Sequence, residues 1–473
     1  MFICRFYKIS VIVSLLLTLF SVFYMAYVKN ISVDEFEHIQ STFNIYYGML
    51  PYRDYFEHHH GLFWYLSAPI LAPFFNQGLV LFVLRTIALV IFCTLLLVIY
   101  KICNILGVSR WYSLAAPILF ANIREMQYSA IEFRPDVLMT IFFLFGVYYL
   151  LKYIDNKESK NIYISFFLFF LSFLVLQKVV IYCIPIFFVV LFLLKTRRVT
   201  LGILFKAIYF PFLLFLAYIA YLYHTDSLRD YWESCWVLNY MIKFSAFDHS
   251  IFYRIFVMLG TISTLYVYWS AKDIKNKFFA IIALIIILLI VTIFPPYAPQ
   301  YYILPYCLFC ISMGVCFYEF AEKKKGNSVF VACLLVLISI SLVIYNKVIK
   351  RNLPLSVQAT LIQHVINYSK PTDYIINNYY IGGVRPLAIG YYWFDFHTSP
   401  RVHHQLFPRR EFPDLNKIIQ TVKPKIITSE SVILYDCVDD DFRKIPCEPE
   451  QVLDTKALGE DYTYNGFIYI RKW

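Results

Sequence analysis

The sequence is short of charge. Asp, Glu, Lys and Arg make up 15% of its 473 residues, against about 25% in a soluble domain of ordinary composition. That scarcity excludes a soluble enzyme and a disordered chain alike. No nucleic-acid module and no internal repeat is present, and no small-residue cleavage site follows the first apolar run. The net charge of +11 therefore points to membrane topology rather than to nucleic acid, which is not expected as a partner. The eleven cysteines offer no zinc framework. Nine lie in or beside apolar segments, where Cys acts as a small apolar residue, and Cys307 with Cys310 lacks a second pair. Cys437 and Cys447 alone fall where oxidation is permitted, and a disulfide between them is expected.

What the chain has in excess is apolar surface, at 60% hydrophobic residues and a mean hydropathy of +0.62. Crossing a hydrocarbon core about 30 Å thick takes roughly 20 helical residues. Eleven apolar runs are read as spans, near 9–28, 79–100, 111–122, 136–152, 162–176, 179–194, 203–223, 252–270, 278–294, 301–318 and 329–346. Gln177 and Lys178 divide the fifth from the sixth, a charge best explained by a turn at the far surface. Lys and Arg collect at Arg5 and Lys8 and in the connectors 101–110, 152–160, 195–206, 272–277 and 323–325. Cytoplasmic loops carry such an excess, so the N-terminus is expected in the cytoplasm, with the first span as an uncleaved signal anchor. An odd number of crossings then places residues 347–473 outside.

The expected architecture is a polytopic α-helical membrane protein, with residues 1–346 as the membrane domain, including an outer loop 29–78, and 347–473 as a small extracytoplasmic α/β domain. In the latter, Val357–Tyr368 and Pro413–Val422 read as helices and Tyr374–Asn377 and Lys425–Thr428 as strands. Tyr462–Arg471 reads as a hairpin around Asn465-Gly466. This segment shows no nucleophile motif and no Gly-rich phosphate loop, which leaves it acceptor recognition or packing. The Asn367-Tyr368-Ser369 sequon is too weak to indicate a compartment.

The outer loops are long and rich in charge, His and aromatic residues, so function is expected there. Ser32 with Glu35 fits a capping box, and Phe36, Ile39, Phe43 and Tyr46 recur at helical spacing, predicting an amphipathic helix in the membrane interface. Asp34 and Glu35 in its first turn complement the helix dipole. Gly48 and Pro51 end it. Next comes Pro51-Tyr52-Arg53-Asp54-Tyr55-Phe56-Glu57-His58-His59-His60-Gly61. Three successive His cannot all face one ion, so a full zinc site is not expected; one of them with Glu57 or an acid from another loop remains a candidate ligand or proton relay, beside the alternative of surface histidines. The second outer loop holds Glu132, Arg134 and Asp136, where an Arg134–Glu132 pair is the simple alternative to a functional role. Arg85 inside the second span must find an acid or a phosphate or reach the outer surface, because ionisable groups at that depth are costly unless paired. Lys178 and Arg254 are placed on the same outer side. Cations suit a phosphate leaving group, and a carboxylate suits removal of a proton from an acceptor hydroxyl.

Asp34-Glu35 after the first span, Pro51-Tyr52-Arg53-Asp54 to His60-Gly61-Leu62 beyond it, Arg85, Arg134-Pro135-Asp136, Lys178 and Tyr301-Tyr302-Ile303-Leu304-Pro305 together resemble the GT-C membrane glycosyltransferases. In particular they resemble the bacterial protein-mannosyltransferase and aminoarabinose-transferase-like group (families 39 and 83). The resemblance covers residues 30 to 305. It implies an inverting transfer from a polyprenyl-phosphate sugar to a glycan, lipid or protein acceptor of the cell envelope, on the outer face of a bacterial cytoplasmic membrane. Carried onto this chain, it implies Asp34 as general base with Glu35 and Asp136 assisting, and Arg85, Lys178, Arg254 and Arg134 as donor-phosphate ligands. Tyr52, Arg53, Glu57, His59, His60, Tyr301 and Tyr302 are the candidate substrate contacts. A divalent cation remains open, with Glu57, His59 and Asp136 as candidate ligands. A transporter or flippase for a lipid-linked sugar is the alternative reading; the lack of paired broken helices counts against it.

Overall fold

In the computed structural model the described residues are 2–241, 251–293, 299–323, 325–348, 354–376, 383–392, 415–428, 437–438, 444–445, 458, 461–464 and 468–472. They form a helical membrane protein with a small α/β region near the C-terminus. The helices run α1 Phe2–Val28, α2 Val33–Tyr46, α3 Leu62–Leu71, α4 Val80–Ile105, α5 Ala115–Asn122, α6 Arg124–Ala130, α7 Pro135–Asn156, α8 Ser159–Val175 and α9 Val179–Lys195. They continue as α10 Leu201–His224, α11 Leu228–Trp232, a π-helix Glu233–Leu238, α12 Asn239–Met241, α13 Ile251–Ser270, α14 Ile274–Ile293, α15 Ile303–Lys323, α16 Lys325–Val348 and α17 Leu355–Tyr368. Each of the eleven apolar runs holds a helix over most of its described residues. Among the described residues, six helices are long and apolar enough to cross a membrane. The exposed side chains of α10, such as Leu201, Phe205 and Phe210, suit hydrocarbon rather than water. The break at Gln177 and Lys178 lies between α8 and α9, as the charge predicts. The run 111–122 is divided, a 3-10 turn at Tyr112–Leu114 leading into α5, with an extended Ile123 before α6.

The chain separates into two compact units. The first comprises Met1–Tyr27, Thr86–Phe215 and Ala246–Asn352. Its helices meet through small residues, as membrane packing favours where apolar burial alone gives no drive to associate. A Cβ on Gly146 or Gly260 would collide with the ring of Phe169 or Phe309. A buried polar ladder adds direction: Asn122 donates to Thr18 at 2.7 Å, and Asn346 donates to Gln127 at 2.7 Å and to Ser21 at 2.9 Å.

The second unit comprises Val28–Arg85, Leu216–Ser245 and Leu353–Trp473. The sequence division at 346 places 347–473 in a domain of its own, whereas this unit takes in 353–473 together with 28–85, which holds the loop 29–78. Hydrogen bonds between distant residues account for the difference. Ile31 N–H donates to Gln358 Oε1 at 2.6 Å, Gly78 N–H to Gln363 Oε1 at 2.8 Å, Phe56 N–H to the Tyr391 carbonyl at 2.7 Å and Gln40 Nε2 to the Arg385 carbonyl at 3.0 Å. Arg385, almost fully buried, donates to Asn76 at 3.1 Å and to the Ser369 hydroxyl at 2.9 Å. Gly383, at φ +93, lies against Ile39 where a Cβ would not fit.

Among the described residues the expected strands are present, and the two arms of the expected hairpin pair antiparallel. Strands β1 Ile375–Ile376, β2 Ile426–Thr428, β3 Cys437–Val438, β4 Lys444–Ile445, β5 Tyr462–Tyr464 and β6 Ile468–Arg471 form a four-stranded sheet of order β1-β2-β6-β5 and a two-stranded pair β3-β4. β1 and β2 are parallel and the other pairs antiparallel, with Tyr464 opposite Tyr469. Alternate residues point to opposite faces. Thus Ile376 and Ile427 pack with Ile419, while Ile375 and Ile426 pack with Val365 of α17. The Asn465-Gly466 turn and Cys447, hence the expected Cys437–Cys447 pair, lie outside the described residues.

Candidate functional site

The first polar cluster is built at the start of α2. Extended Ser32 caps the helix: its Oγ accepts from Glu35 N–H at 3.3 Å and its own N–H donates to Glu35 Oε2 at 3.1 Å, completing the predicted capping box. Glu35 is also gripped by Arg85, whose Nη1 meets Oε1 and whose Nη2 donates to Oε2 at 2.9 Å. Both side chains are wholly buried. Arg85 Nη2 donates further to the Asn30 carbonyl at 2.8 Å. The sequence required Arg85 to find an acid or a phosphate, and its partner is an acid. A bidentate guanidinium–carboxylate pair fixes orientation as well as charge. Asp34, half-buried in the same first turn, thus stands on a helix end whose angle is set by its neighbour.

The predicted helix forms as α2, but its polar side chains do not turn to water. From Glu35 to Asn44 every side chain is buried. Counting polar residues as a water-facing stripe fails here because they bond within the protein. Thr42 donates to the His38 carbonyl at 2.6 Å, Gln40 to Asn44 at 3.0 Å, Ser41 to Glu57 Oε2 at 2.5 Å and Trp64 Nε1 to His38 Nδ1 at 3.3 Å.

The loop after α2 brings its histidines inward. Tyr52 turns the chain at φ 69; its hydroxyl donates to the His59 carbonyl at 2.6 Å, and its ring packs with Leu222, Tyr231 and Cys235. His60 is fully buried, with Nε2 2.9 Å from the Tyr231 hydroxyl. Tyr52 and His60, both named as candidate substrate contacts, are buried and hold the loop through these bonds, and Arg53, exposed, pairs with Asp54 at 2.7 Å. The reading of surface histidines is replaced for His59 and His60 by burial.

His58 and His59 both turn toward two carboxylates. His59 Nδ1 lies 3.2 Å from Glu57 Oε1 and 3.3 Å from Glu37 Oε1, and His58 Nδ1 lies 3.4 Å from Glu37 Oε1 and 4.0 Å from Glu57 Oε1. Burial, with Glu37 beside it, pushes the Glu57 carboxyl up to about 8 against the downward pull of His59 and Ser41. These four residues can hold a metal ion by the spacing of their ligand atoms. Asp136, expected with Glu57 and His59, is not one of them. Sequence reasoning missed Glu37, whose signal was an acid within the apolar period of α2.

The second cluster lies in the other unit. Pro135 opens α7 and Asp136 follows, buried in its first turn. Arg134 stands 3.5 Å from Glu132 and 3.4 Å from Asp136, so the simple Arg134–Glu132 pair exists and is joined by a second acid. Lys178 lies 3.9 Å from Asp136, with its ammonium 3.8 Å from the Tyr301 ring centroid, within cation–π range. The Tyr301 carbonyl accepts from the Tyr182 hydroxyl at 3.2 Å, and Tyr302 is buried. Arg254 falls near the start of α13, and its side chain lies outside the described residues.

No protein-family model and no curated protein matches the chain. Solved structures do. The crystal structure of ArnT from Cupriavidus metallidurans bound to undecaprenyl phosphate is similar at 12% identity and a TM-score of 0.61, over 89% of this chain and 92% of that one. Its apo state gives 13% identity and 0.56 over the same shares. The Archaeoglobus fulgidus oligosaccharyltransferase matches at 0.51 and 11% identity, over 90% of this chain and 69% of that one; it has also been solved with Zn and sulfate, matching at 0.51 and 10% identity over 89% and 67%. Both are GT-C membrane glycosyltransferases. The chain has the GT-C fold, with a small α/β region near its C-terminus.

Proposed function

We propose that this GT-C chain is an integral membrane glycosyltransferase that moves a sugar from a polyprenyl-phosphate donor to a glycan, lipid or protein acceptor of the cell envelope, on the outer face and with inversion at the anomeric carbon. The observation that carries the reading is the start of α2: a half-buried carboxylate, Asp34, beside a Glu35 locked to Arg85, in a chain of this fold. Asp34 takes the proton of the acceptor hydroxyl as its oxygen attacks the anomeric carbon. The bond from that carbon to the phosphate oxygen breaks, and its electron pair leaves with the polyprenyl phosphate.

Negative charge grows on the phosphate as the bond breaks, and cations aimed at developing charge lower the barrier most. Lys178 and Arg134 supply that charge, with Arg254 a further candidate. Asp136 positions both of the first two, and Tyr301 flanks Lys178 and offers a ring to the sugar or lipid, with Tyr302 behind it. Arg85 fixes Glu35 and the helix end rather than meeting phosphate. A bacterial cytoplasmic membrane with the N-terminus inside accords with the distribution of Lys and Arg.

The test is mass spectrometry of envelope lipids, polysaccharide and glycoprotein from a strain lacking the gene, complemented with wild type or Asp34→Asn. Loss of one sugar mass, restored by wild type alone, supports the reading and identifies the acceptor. Restoration by a well-expressed Asp34→Asn protein overturns it in favour of transport.

A further inference from the structure

The four ligand-type atoms at the His58–His59 turn have the spacing of a coordination shell. The separations from the two imidazole Nδ1 atoms to the two carboxylate oxygens are 3.2, 3.3, 3.4 and 4.0 Å, and all four atoms lie within 4.8 Å of one another. Ligands at zinc bond lengths of about 2.0–2.1 Å on a tetrahedron stand about 3.3–3.4 Å apart. An octahedral magnesium ion would ask for about six oxygens, whereas two imidazoles favour zinc.

We propose that Glu37, Glu57, His58 and His59 hold one zinc ion that is structural rather than catalytic and ties α2 to the turn at 57–59. Two neighbouring buried carboxylates are costly in a low-dielectric interior, and a divalent cation among them offsets that cost. The surroundings hold each ligand in place. Ser41 Oγ donates to Glu57 Oε2 at 2.5 Å, and the N–H groups of His58 and His59 donate to Glu57 Oε1 at 2.9 and 3.3 Å. The carbonyls of the same two histidines are taken by Asn239 at 3.2 Å and by Tyr52 at 2.6 Å. Partners of this kind set ligand orientation and metal affinity. Four protein ligands close a tetrahedral shell and leave no open position for water or substrate, which is the mark of a structural site. His60, turned away toward Tyr231, takes no part, so two of the three consecutive histidines face the ion. The inference does not depend on the transferase reading: a zinc-loaded protein that transfers no sugar would leave it standing.

The experiment uses the full chain purified in detergent without a polyhistidine tag. Elemental mass spectrometry is expected to find about one zinc per chain, lost from the His58→Gln/His59→Gln double variant. Cobalt substituted for zinc is expected to give the intense visible bands of tetrahedral coordination. Wild type stripped by a chelator is expected to melt at a lower temperature and to recover with zinc but not with magnesium. Because stripping and reloading use wild type, a variant that fails to fold does not blunt the test. No zinc after reloading, undiminished zinc in a folded double variant, or an octahedral cobalt spectrum would each overturn the proposal.

Discussion

The two polar clusters hold their charges differently. At the start of α2, Glu35 and Arg85 meet as a bidentate pair, both wholly buried and reinforced by a capping box and a backbone carbonyl. Around α7 the ion pairs are longer, at 3.4 to 3.9 Å, and Lys178 rests over an aromatic ring. A short, saturated pair resists rearrangement, because moving either partner leaves a buried charge uncompensated. Around α7 the charges are shared among Glu132, Arg134, Asp136 and Lys178 with no short bidentate pair among these contacts, so each cation's orientation is less firmly fixed. The contrast separates a framework from adaptable electrostatics, and four substitutions press on it.

The largest effect is expected at Asp34. Asp34→Asn should lower transfer by about 10²–10⁴-fold, the range of a positioned general base, with the melting temperature unchanged; retained transfer would remove Asp34 from the chemistry. Next is the framework. Arg85→Met strands Glu35 and should cost about 3–5 kcal/mol of stability, read by thermal or denaturant unfolding in detergent. Arg85→Met with Glu35→Leu should recover part of that loss. A stable, inactive Arg85→Met protein would instead return Arg85 to the donor phosphate.

Lys178→Met should cut turnover about 10²–10³-fold, as for loss of one group stabilising developing charge, with little loss of stability and partial rescue by Lys178→Arg. A stability loss as large as that of Arg85→Met would erase the distinction between the clusters. The smallest effect belongs to the cap: Ser32→Ala should cost about 1 kcal/mol, visible in melting and slight in activity.

How much of this was legible depends on whether the signal was local. Ser32 and Glu35, the charge break at Gln177 and Lys178, and the alternation across Ile375–Ile376 and Ile426–Ile427 are local patterns, and the structure contains each. The burial of α2 was not legible, because Ser41, Gln40 and Trp64 bond to partners that sequence spacing does not bring near. Glu37 was missed for the same reason: His58, His59 and Glu57 reach it through the turn set by Tyr52. The joining of 353–473 to the loop 29–78 rests on Gln358, Gln363 and Arg385, contacts between residues hundreds of positions apart. Asp34, Arg134, Asp136 and Lys178 were legible as ionisable residues in an apolar chain, where such groups mark function by default.

The central claim is that Asp34 drives release of a polyprenyl phosphate. The most direct measurement incubates the purified full chain with the lipid and envelope fraction of a strain lacking the gene, and follows polyprenyl phosphate and acceptor masses over time. The account predicts release coupled to gain of one sugar on the acceptor with wild type, and neither with an equally folded Asp34→Asn protein. Equal release by both proteins, or sugar gained without release of polyprenyl phosphate, would contradict it.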